Sequence, residues 1–176
     1  ARAMPLRADF RHLLDHQQHM LERHGVQVVF GREATAQQVR EGQFDEVVIA
    51  TGSAALPLEL PDGQTMLTME QALAEPDRLG HTVAFYDTTG EWSALSVIEH
   101  LADLGKKVTV FTPVAGFAWR TTIYSTLSNR KRLRDKGVRL ALLRSVRSFD
   151  GQVVRVEDTS TGEVLDEAGF TSLVGA

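Results

Sequence analysis

The sequence predicts an α/β fold with a Rossmann-like parallel sheet, and three observations indicate it. Residues 47–50 (VVIA) form an unbroken apolar run, as expected of a strand covered on both faces, and Thr51-Gly52 ends it. Residues 82–111 show the strand, helix and strand of a βαβ unit, which takes a right-handed crossover and forms a parallel sheet. Near the end of the chain, residues 170–176 (FTSLVGA) again place a glycine after an apolar strand.

The composition limits the possible functions. The 176 residues suffice for one domain, or for a domain with part of another, and 43% hydrophobic with 24% charged residues is typical of a globular protein. The net charge of −4 gives no electrostatic footprint for nucleic acid. No apolar run approaches the roughly twenty residues that span a bilayer, and no signal segment is visible. We therefore expect a cytoplasmic protein that binds neither nucleic acid nor membranes.

The sequence contains no cysteine. These residues therefore hold no redox disulfide, no thiolate nucleophile and no cysteine-ligated iron–sulfur cluster. Any electron transfer within this chain needs a bound organic cofactor.

The first part of the chain is predicted to contain two helices and two strands. Residues 8–24 repeat apolar side chains at helical spacing, and residues 35–39 form a short helix capped by Thr35. The expected strands are residues 26–30 and the apolar run 47–50, which Thr51-Gly52 ends. The polar side of the first helix carries His12, His16 and His19, whose spacing would let three imidazoles share a metal. We expect a solvated stripe instead, because the pattern fixes no further ligand.

Residues 57–80 are expected to connect two structural units. They contain the turn signal Asp62-Gly63 and the capping-box pattern 68–71 (TMEQ), which opens a short helix ending at Ala74. The second unit is then predicted to contain strands at residues 82–86, 107–111 and 138–143 and helices at residues 93–104 and 121–136. The loop at residues 87–92 joins the first of these strands to the first helix.

The last part of the chain changes to antiparallel strands. Residues 145–149 and 152–157 are predicted to form a hairpin, because Asp150-Gly151 between two such runs is a strong turn signal. Thr161-Gly162 marks a further turn, so a β-meander precedes the final strand.

The loop after the strand at residues 82–86 decides whether the second unit can bind a dinucleotide. In that fold, glycines in the first βα turn let a pyrophosphate approach the helix N-terminus. Here only Gly90 is present, Asp87 stands in the place of the first glycine, and Glu91 and Trp92 add charge and bulk. The next strand also ends without the acid or arginine that binds a ribose. We therefore expect a degenerate NAD-type loop that does not bind NAD(P) tightly.

Three further features have alternative interpretations. Trp92 is either a stacking or electron-conducting aromatic or, as we favour, a ring packed over the mouth of the sheet in the vacated cofactor space. Trp119, Arg120 and Tyr124 form either a partner-facing cluster or local packing. The basic segment 130–136 (RKRLRDK) lies at a helix end, where cations complement the helix dipole, and we expect it to be solvated.

Taken in order, these segments resemble the C-terminal region of the trimethylamine dehydrogenase and 2,4-dienoyl-CoA reductase family, the old yellow enzyme-like NADH:flavin oxidoreductases. The resemblance rests on residues 45–53, the helix capped by Thr68, the βαβ unit with its loop at residues 87–90 (DTTG), and residues 172–175 (SLVG). It covers nearly the whole chain, which would then be a fragment of a larger flavoprotein.

The resemblance implies a nested arrangement. A Rossmann-like, NAD(P)-binding-type insert with a β-meander would lie inside part of an FAD/ADP-binding-type domain. Residues 1–56 and 168–176 would form the partial outer domain, residues 57–80 the connection and residues 81–167 the insert.

The resemblance also implies cofactors and partners for the full-length protein. FMN on an upstream barrel, a 4Fe-4S cluster and FAD or ADP would be its cofactors, none of them certain in this fragment, and hydride-transfer residues would lie in the barrel. The expected partners are the remainder of its own chain and an electron-transferring flavoprotein, in a homo-oligomeric assembly. Four residues would line the ADP part of the outer site: Ala50, Thr51, Gly52 and Ser53.

Three functions follow. The acidic, glycine-poor loop is similar to that of the amine dehydrogenase branch, which implies a bacterial oxidoreductase for oxidative N-demethylation of a methylated amine, with electrons passed to an acceptor flavoprotein and the fragment alone inactive. One alternative is an NAD(P)H-dependent reductase of the 2,4-dienoyl-CoA reductase type. The other is a non-catalytic scaffold that docks an electron carrier. Replacing Asp87 and Glu91 by glycine is predicted to raise the affinity for NAD(P)H, because charge and bulk leave the phosphate position.

Overall fold

The computed structural model describes residues 9–56 and 58–176. The chain divides into two compact units: the described residues up to 54 form the first, and those from 55 onward form the second.

Both helices predicted for the first unit are confirmed. Helix α1 spans Phe10–Arg23 and is followed by Gly25, whose φ of +67° suits a helix end that only glycine adopts readily. Helix α2 spans Ala36–Glu41 and begins with a capping box. The Thr35 hydroxyl accepts a hydrogen bond from the Gln38 N–H, and the Gln38 side chain accepts one from the Thr35 N–H.

The two strands predicted for the first unit are wrong. Among the described residues, no strand pairs with residues 26–30 or 47–50. An extended segment becomes a strand only where a neighbour supplies partners for its N–H and C=O groups. The apolar side chains are correspondingly exposed, Val48 at 88%. The apolar pattern predicts a segment that is suited to burial, and the neighbouring strands decide whether a sheet forms.

The second unit is built on a five-stranded parallel sheet with the strand order β1-β8-β2-β3-β4. Its strands are β1 (Leu67–Thr68), β2 (Thr82–Tyr86), β3 (Lys107–Phe111), β4 (Arg139–Ala141) and β8 (Ser172–Gly175). A three-stranded antiparallel sheet consists of β5 (Arg144–Phe149), β6 (Val153–Asp158) and β7 (Val164–Ala168). The helices are α3 (Met69–Ala74), the 3-10 turn Pro76–Arg78, α4 (Trp92–Asp103) and α5 (Ile123–Asp135).

The parallel sheet separates two hydrophobic cores. Successive side chains of a strand point to opposite faces, so Val83 and Phe85 pack on one side and Ala84 on the other. The first core includes Ile98 of α4 and the second includes Val156 of the antiparallel sheet. The predicted βαβ unit and the predicted meander are therefore both confirmed, and the meander covers the face that the helices leave open.

Two parts of the second unit bear on the expected domain boundaries, which stay a prediction. The expectation assigns residues 168–176 to the outer domain, but β8 lies between β1 and β2 and pairs with both in parallel. All four β8 residues are buried, as a central strand requires. The expectation also treats residues 57–80 as a connection, whereas β1 and α3 belong to the second unit. The capping box at Thr68 is confirmed.

Candidate nucleotide-binding loop

The predicted NAD-type loop follows the carboxyl end of β2, the edge at which open α/β sheets bind their ligands. Asp87 is 1% exposed there. Its Oδ1 accepts hydrogen bonds from the N–H of Thr89 at 3.0 Å, the N–H of Gly90 at 2.8 Å and the Thr89 hydroxyl at 3.1 Å. Loop N–H groups of this kind hold a phosphate in dinucleotide-binding proteins. The Asp87 carboxylate therefore supplies an internal anion to these donors.

An indole ring covers the remaining glycine of the loop. Gly90 has a φ of +64°, and a Cβ atom added to it would lie 2.4–2.6 Å from ring carbons of Trp119. We expect a ring over the mouth of the sheet from the sequence, but the ring on Gly90 belongs to Trp119, whereas Trp92 opens α4 and is exposed. Trp119 is missed as the covering ring because the sequence gives no signal for this long-range contact.

The residue after Trp119 is also bonded to the loop. The Arg120 N–H donates to the Gly90 carbonyl at 3.2 Å, and Arg120 Nη1 donates to Glu91 Oε1 at 2.9 Å. Both side chains are exposed, so the ion pair contributes only about 0–1 kcal/mol. Residues 119–120 are therefore held against the loop by the Trp119 ring, the Arg120 N–H and the Arg120 guanidinium group.

The loop is tied to both neighbouring strands of β2. The Asp87 N–H donates to the Phe111 carbonyl of β3 at 2.9 Å. On the other side, the Thr88 N–H and hydroxyl donate to the Ala176 carbonyl at 3.0 and 2.6 Å. The sequence identifies Asp87 as the substituted glycine position, but it does not reveal these bonds, because their partners come from distant segments.

The end of β3, where a ribose-binding acid is expected in the dinucleotide fold, holds Thr112 instead. Thr112 is buried, its N–H donates to the Ala141 carbonyl, and its carbonyl accepts from the Arg144 N–H. Its hydroxyl has no hydrogen-bond partner among the described residues. The chain therefore presents no carboxylate at this position.

The four candidate residues of the first unit are all exposed: Ala50, Thr51, Gly52 and Ser53. Gly52 has a φ of +75°, and in the described part of the chain no atom lies within 4 Å of a Cβ added to it. The backbone at Gly52 is therefore open to close approach, in contrast to the backbone at Gly90.

The histidines of α1 are exposed, and within residues 9–56 and 58–176 no group of three His, Cys, Asp or Glu is arranged to hold a metal ion. Across the same ranges, none of the helices has the length and apolar character needed to traverse a bilayer.

Comparison with known proteins shows the fold. The chain matches histamine dehydrogenase from Rhizobium sp. 4-9 over 99% of its length with a TM-score of 0.83 and 24% identity. It matches 2-naphthoyl-CoA reductase over 99% with a TM-score of 0.85 and 21% identity. It matches 6-hydroxypseudooxynicotine amine oxidase from Pseudomonas geniculata N1 over 98% with a TM-score of 0.84 and 20% identity. The α/β fold of an FAD/NAD-binding-type region is thereby confirmed.

One curated protein is also similar in sequence. The chain is 29% identical over 115 residues, 65% of its length, to the probable N-methylproline demethylase of Rhizobium meliloti (strain 1021). No protein-family model matches the chain. The chain spans 17% of that relative and 26–29% of the three solved structures, so it corresponds to a minor part of each.

Proposed function

We propose that this chain is a segment of a flavoprotein oxidoreductase of the amine dehydrogenase type, and that its NAD(P)-type loop is closed by its own side chains. The full-length protein would demethylate a methylated amine oxidatively and pass the electrons to an acceptor flavoprotein. The observation that carries the proposal is the occupied loop: Asp87 accepts from the loop N–H groups, and Trp119 covers Gly90. A protein with such a loop must deliver electrons to an acceptor other than NAD(P)⁺ bound there.

The names of the similar proteins support the amine part of the proposal. A histamine dehydrogenase, an amine oxidase and a probable N-methylproline demethylase are among them. The same reasoning proposes FMN and a 4Fe-4S cluster for the full-length protein. The cluster would be held outside these 176 residues, because the chain contains no cysteine to ligate it, and the FMN would be held by the barrel that the family resemblance implies.

We also propose that Ala50, Thr51, Gly52 and Ser53 contact the ADP part of FAD or of ADP itself. The open backbone at Gly52 fits the close approach of such a ligand. The remainder of its own chain would cover the exposed apolar segment at residues 47–50.

Calorimetric titration of the chain with NADH and NADPH tests the closed loop. We expect millimolar or weaker binding to the wild type. Asp87→Gly with Glu91→Gly removes the charge but leaves the indole of Trp119 on Gly90, so the gain in affinity should be small. Adding Trp119→Ala should strengthen binding by at least about tenfold, because the anion position and the space above Gly90 are then both free.

Trp92→Ala is the matched control, since it removes a nearby indole without uncovering Gly90, and it should leave the affinity unchanged. Trp119→Ala alone keeps the Asp87 hydrogen bonds and replaces the triple variant if that variant does not fold. It should gain less affinity than the triple variant, because the Asp87 carboxylate still occupies the anion position. Micromolar binding of NADPH to the wild type would instead favour the NAD(P)H-dependent reductase.

In the full-length protein, bleaching of the flavin spectrum by an N-methylated amine under anaerobic conditions tests the amine chemistry separately.

A further inference from the structure

We propose that the cleft between α5 and the edge strand β4 binds an acidic segment of a partner protein that also carries an apolar side chain. The cleft has a volume of about 340 Å³ and is lined by Leu127, Arg130, Lys131, Arg134, Val138 and Leu140. The proposal is independent of the proposed function.

The apolar part of the cleft comes from both elements. Val138 and Leu140 line the cleft and pack against the hydrophobic core, and Leu127 of α5, which also lines the cleft, is 60% exposed. Ile123 and Tyr124, one helical turn earlier, are also exposed and extend the apolar stripe along α5. A continuous exposed apolar stripe of this kind marks an interaction surface.

The charged part of the cleft is only partly neutralised by the chain itself. Among the described residues, Arg130 has no ion pair, and the carboxylate nearest to Arg134 is Asp135 at 3.9 Å. Lys131 is the exception, because its Nζ lies 2.5 Å from Asp135 Oδ2. Two guanidinium groups therefore retain free donors, in a chain of net charge −4. Guanidinium donors match carboxylates in bidentate geometry, so charge complementarity selects an acidic occupant.

The basic residues of α5 are divided between two roles. Arg132 donates two hydrogen bonds to the buried carboxylate of Glu99 at 2.9 and 3.0 Å and a third to Asn129 Oδ1 at 2.6 Å, which joins α5 to α4. Arg130 and Arg134 lie two residues to either side of Arg132 and line the cleft instead. The internal ion pair fixes the helix, and the two cleft arginines remain available to a partner.

The shape of the cleft favours a protein segment over a lipid surface. One wall is β4, whose outer edge is unpaired within the described ranges, and an extended chain can lie along such an edge. In this cleft Val138 is buried and Leu140 half-buried, whereas Arg130 and Arg134 are exposed. A bound segment can contact both sets of residues, whereas a flat membrane would contact mainly the exposed arginines.

Selection of short random peptides displayed on phage, with the 176-residue chain as target, tests this proposal. Peptides retained by the wild type but not by Arg130→Glu with Arg134→Glu should be enriched in Asp or Glu flanking an apolar residue. The consensus peptide, labelled and titrated by fluorescence anisotropy, should bind about tenfold or more weakly to that double variant, and raised salt should weaken it.

Leu127→Ser should also weaken the peptide, which separates cleft binding from charge attraction alone. Arg78→Glu with Lys107→Glu changes the net charge equally on exposed residues outside the cleft and should leave the affinity unchanged. Failure to enrich any peptide, enrichment without acidic residues, or equal binding to the double variant would each overturn the proposal. So would sedimentation with phosphatidylserine vesicles that depends on Arg130 while no peptide binds.

Discussion

Residues 47–52 and the strand β8 share a sequence pattern, an apolar run that ends in glycine, but they have different environments. Val174 of β8 is fully buried and pairs with Phe85 of β2 and Leu67 of β1, whereas Val48 is 88% exposed. Val174 and Val48 carry the same apolar side chain. The difference shows that the pattern indicates a segment suited to burial, while strand neighbours on both sides create the burial.

The backbone environments of two glycines, Gly52 and Gly90, also differ. Gly52 is open, and no hydrogen bond joins residues 51–53 to any other described residue. Gly90, after β2, lies under Trp119 and beside the Asp87 carboxylate, which satisfies the loop N–H groups. The backbone at Gly52 borders open space, whereas the loop at Gly90 is filled by side chains of its own chain.

The largest effect expected from this comparison follows Val174→Asp. A carboxylate without partners at the centre of the sheet should lower the free energy of unfolding by about 4 kcal/mol or more. Val48→Asp, in the matched exposed run, should change it by no more than about 0.5 kcal/mol. Urea unfolding followed by circular dichroism measures both. Equal effects of the two substitutions would show that residues 47–50 are buried as deeply as β8.

Asp87→Ala is expected to have the next largest effect. It removes the acceptor of three hydrogen bonds and leaves the buried Gly90 N–H and the half-buried Thr89 N–H without this partner, so it should cost about 3 kcal/mol. Asp87→Asn keeps an acceptor oxygen of the same shape and should cost less, about 1 kcal/mol. If both variants unfold at the wild-type urea concentration, the carboxylate does not hold the loop.

The strands of the two units illustrate how much of the structure the sequence predicts. The bounds of β2 and β3 agree with the structure residue for residue, because apolar runs closed by turn residues lie on both sides of a strongly apolar helix. The two-residue strand β1 is too short to leave a pattern. Residues 26–30 and 47–50 carry the strand pattern without the neighbours, and neighbours are a tertiary property.

The candidate loop shows the same division. Asp87, Glu91 and the single glycine are visible in the sequence because their types conflict with phosphate binding. The covering ring is not visible, since Arg120 and Glu91 are 29 residues apart and the intervening residues form helix α4, strand β3 and a loop. Local chemistry is readable from residue types, whereas the side chain that fills a vacated site depends on the path of a distant loop.

Gly90→Ala tests the contact with Trp119 and should have a smaller effect than loss of Asp87. A Cβ at Gly90 meets both an unfavourable φ and the indole ring, so we expect a cost of about 2 kcal/mol. Gly105→Ala is the control: its φ of +78° is similar, but no described atom lies within 4 Å of the added Cβ, and about 1 kcal/mol is expected. Combining Gly90→Ala with Trp119→Ala should remove part of the excess. Without that recovery in a double-mutant cycle, the ring does not press on Gly90.

The smallest expected effect concerns Asp158, the last residue of β6, just before the turn to β7. Its Oδ1 accepts from the Ser160 hydroxyl at 2.5 Å and the Ser160 N–H at 2.8 Å, and these bonds, with Arg144 beside the carboxylate, lower the pKa of Asp158 from 3.8 to about 2. Because the pKa is lowered by folding, the ionised group stabilises the fold above pH 3.8, and this contribution is lost as the pH falls through 2.

Asp158→Asn should therefore be slightly less stable than the wild type at neutral pH, and the two should converge as the pH falls from 3.8 to 2. Free energies of unfolding measured across that range give the comparison. Asp45→Asn, an exposed aspartate of the first unit without a hydrogen bond among the described residues, is the control and should follow the wild type throughout. A constant difference between Asp158→Asn and the wild type at every pH would mean that the turn depends on the shape of the side chain and not on its charge.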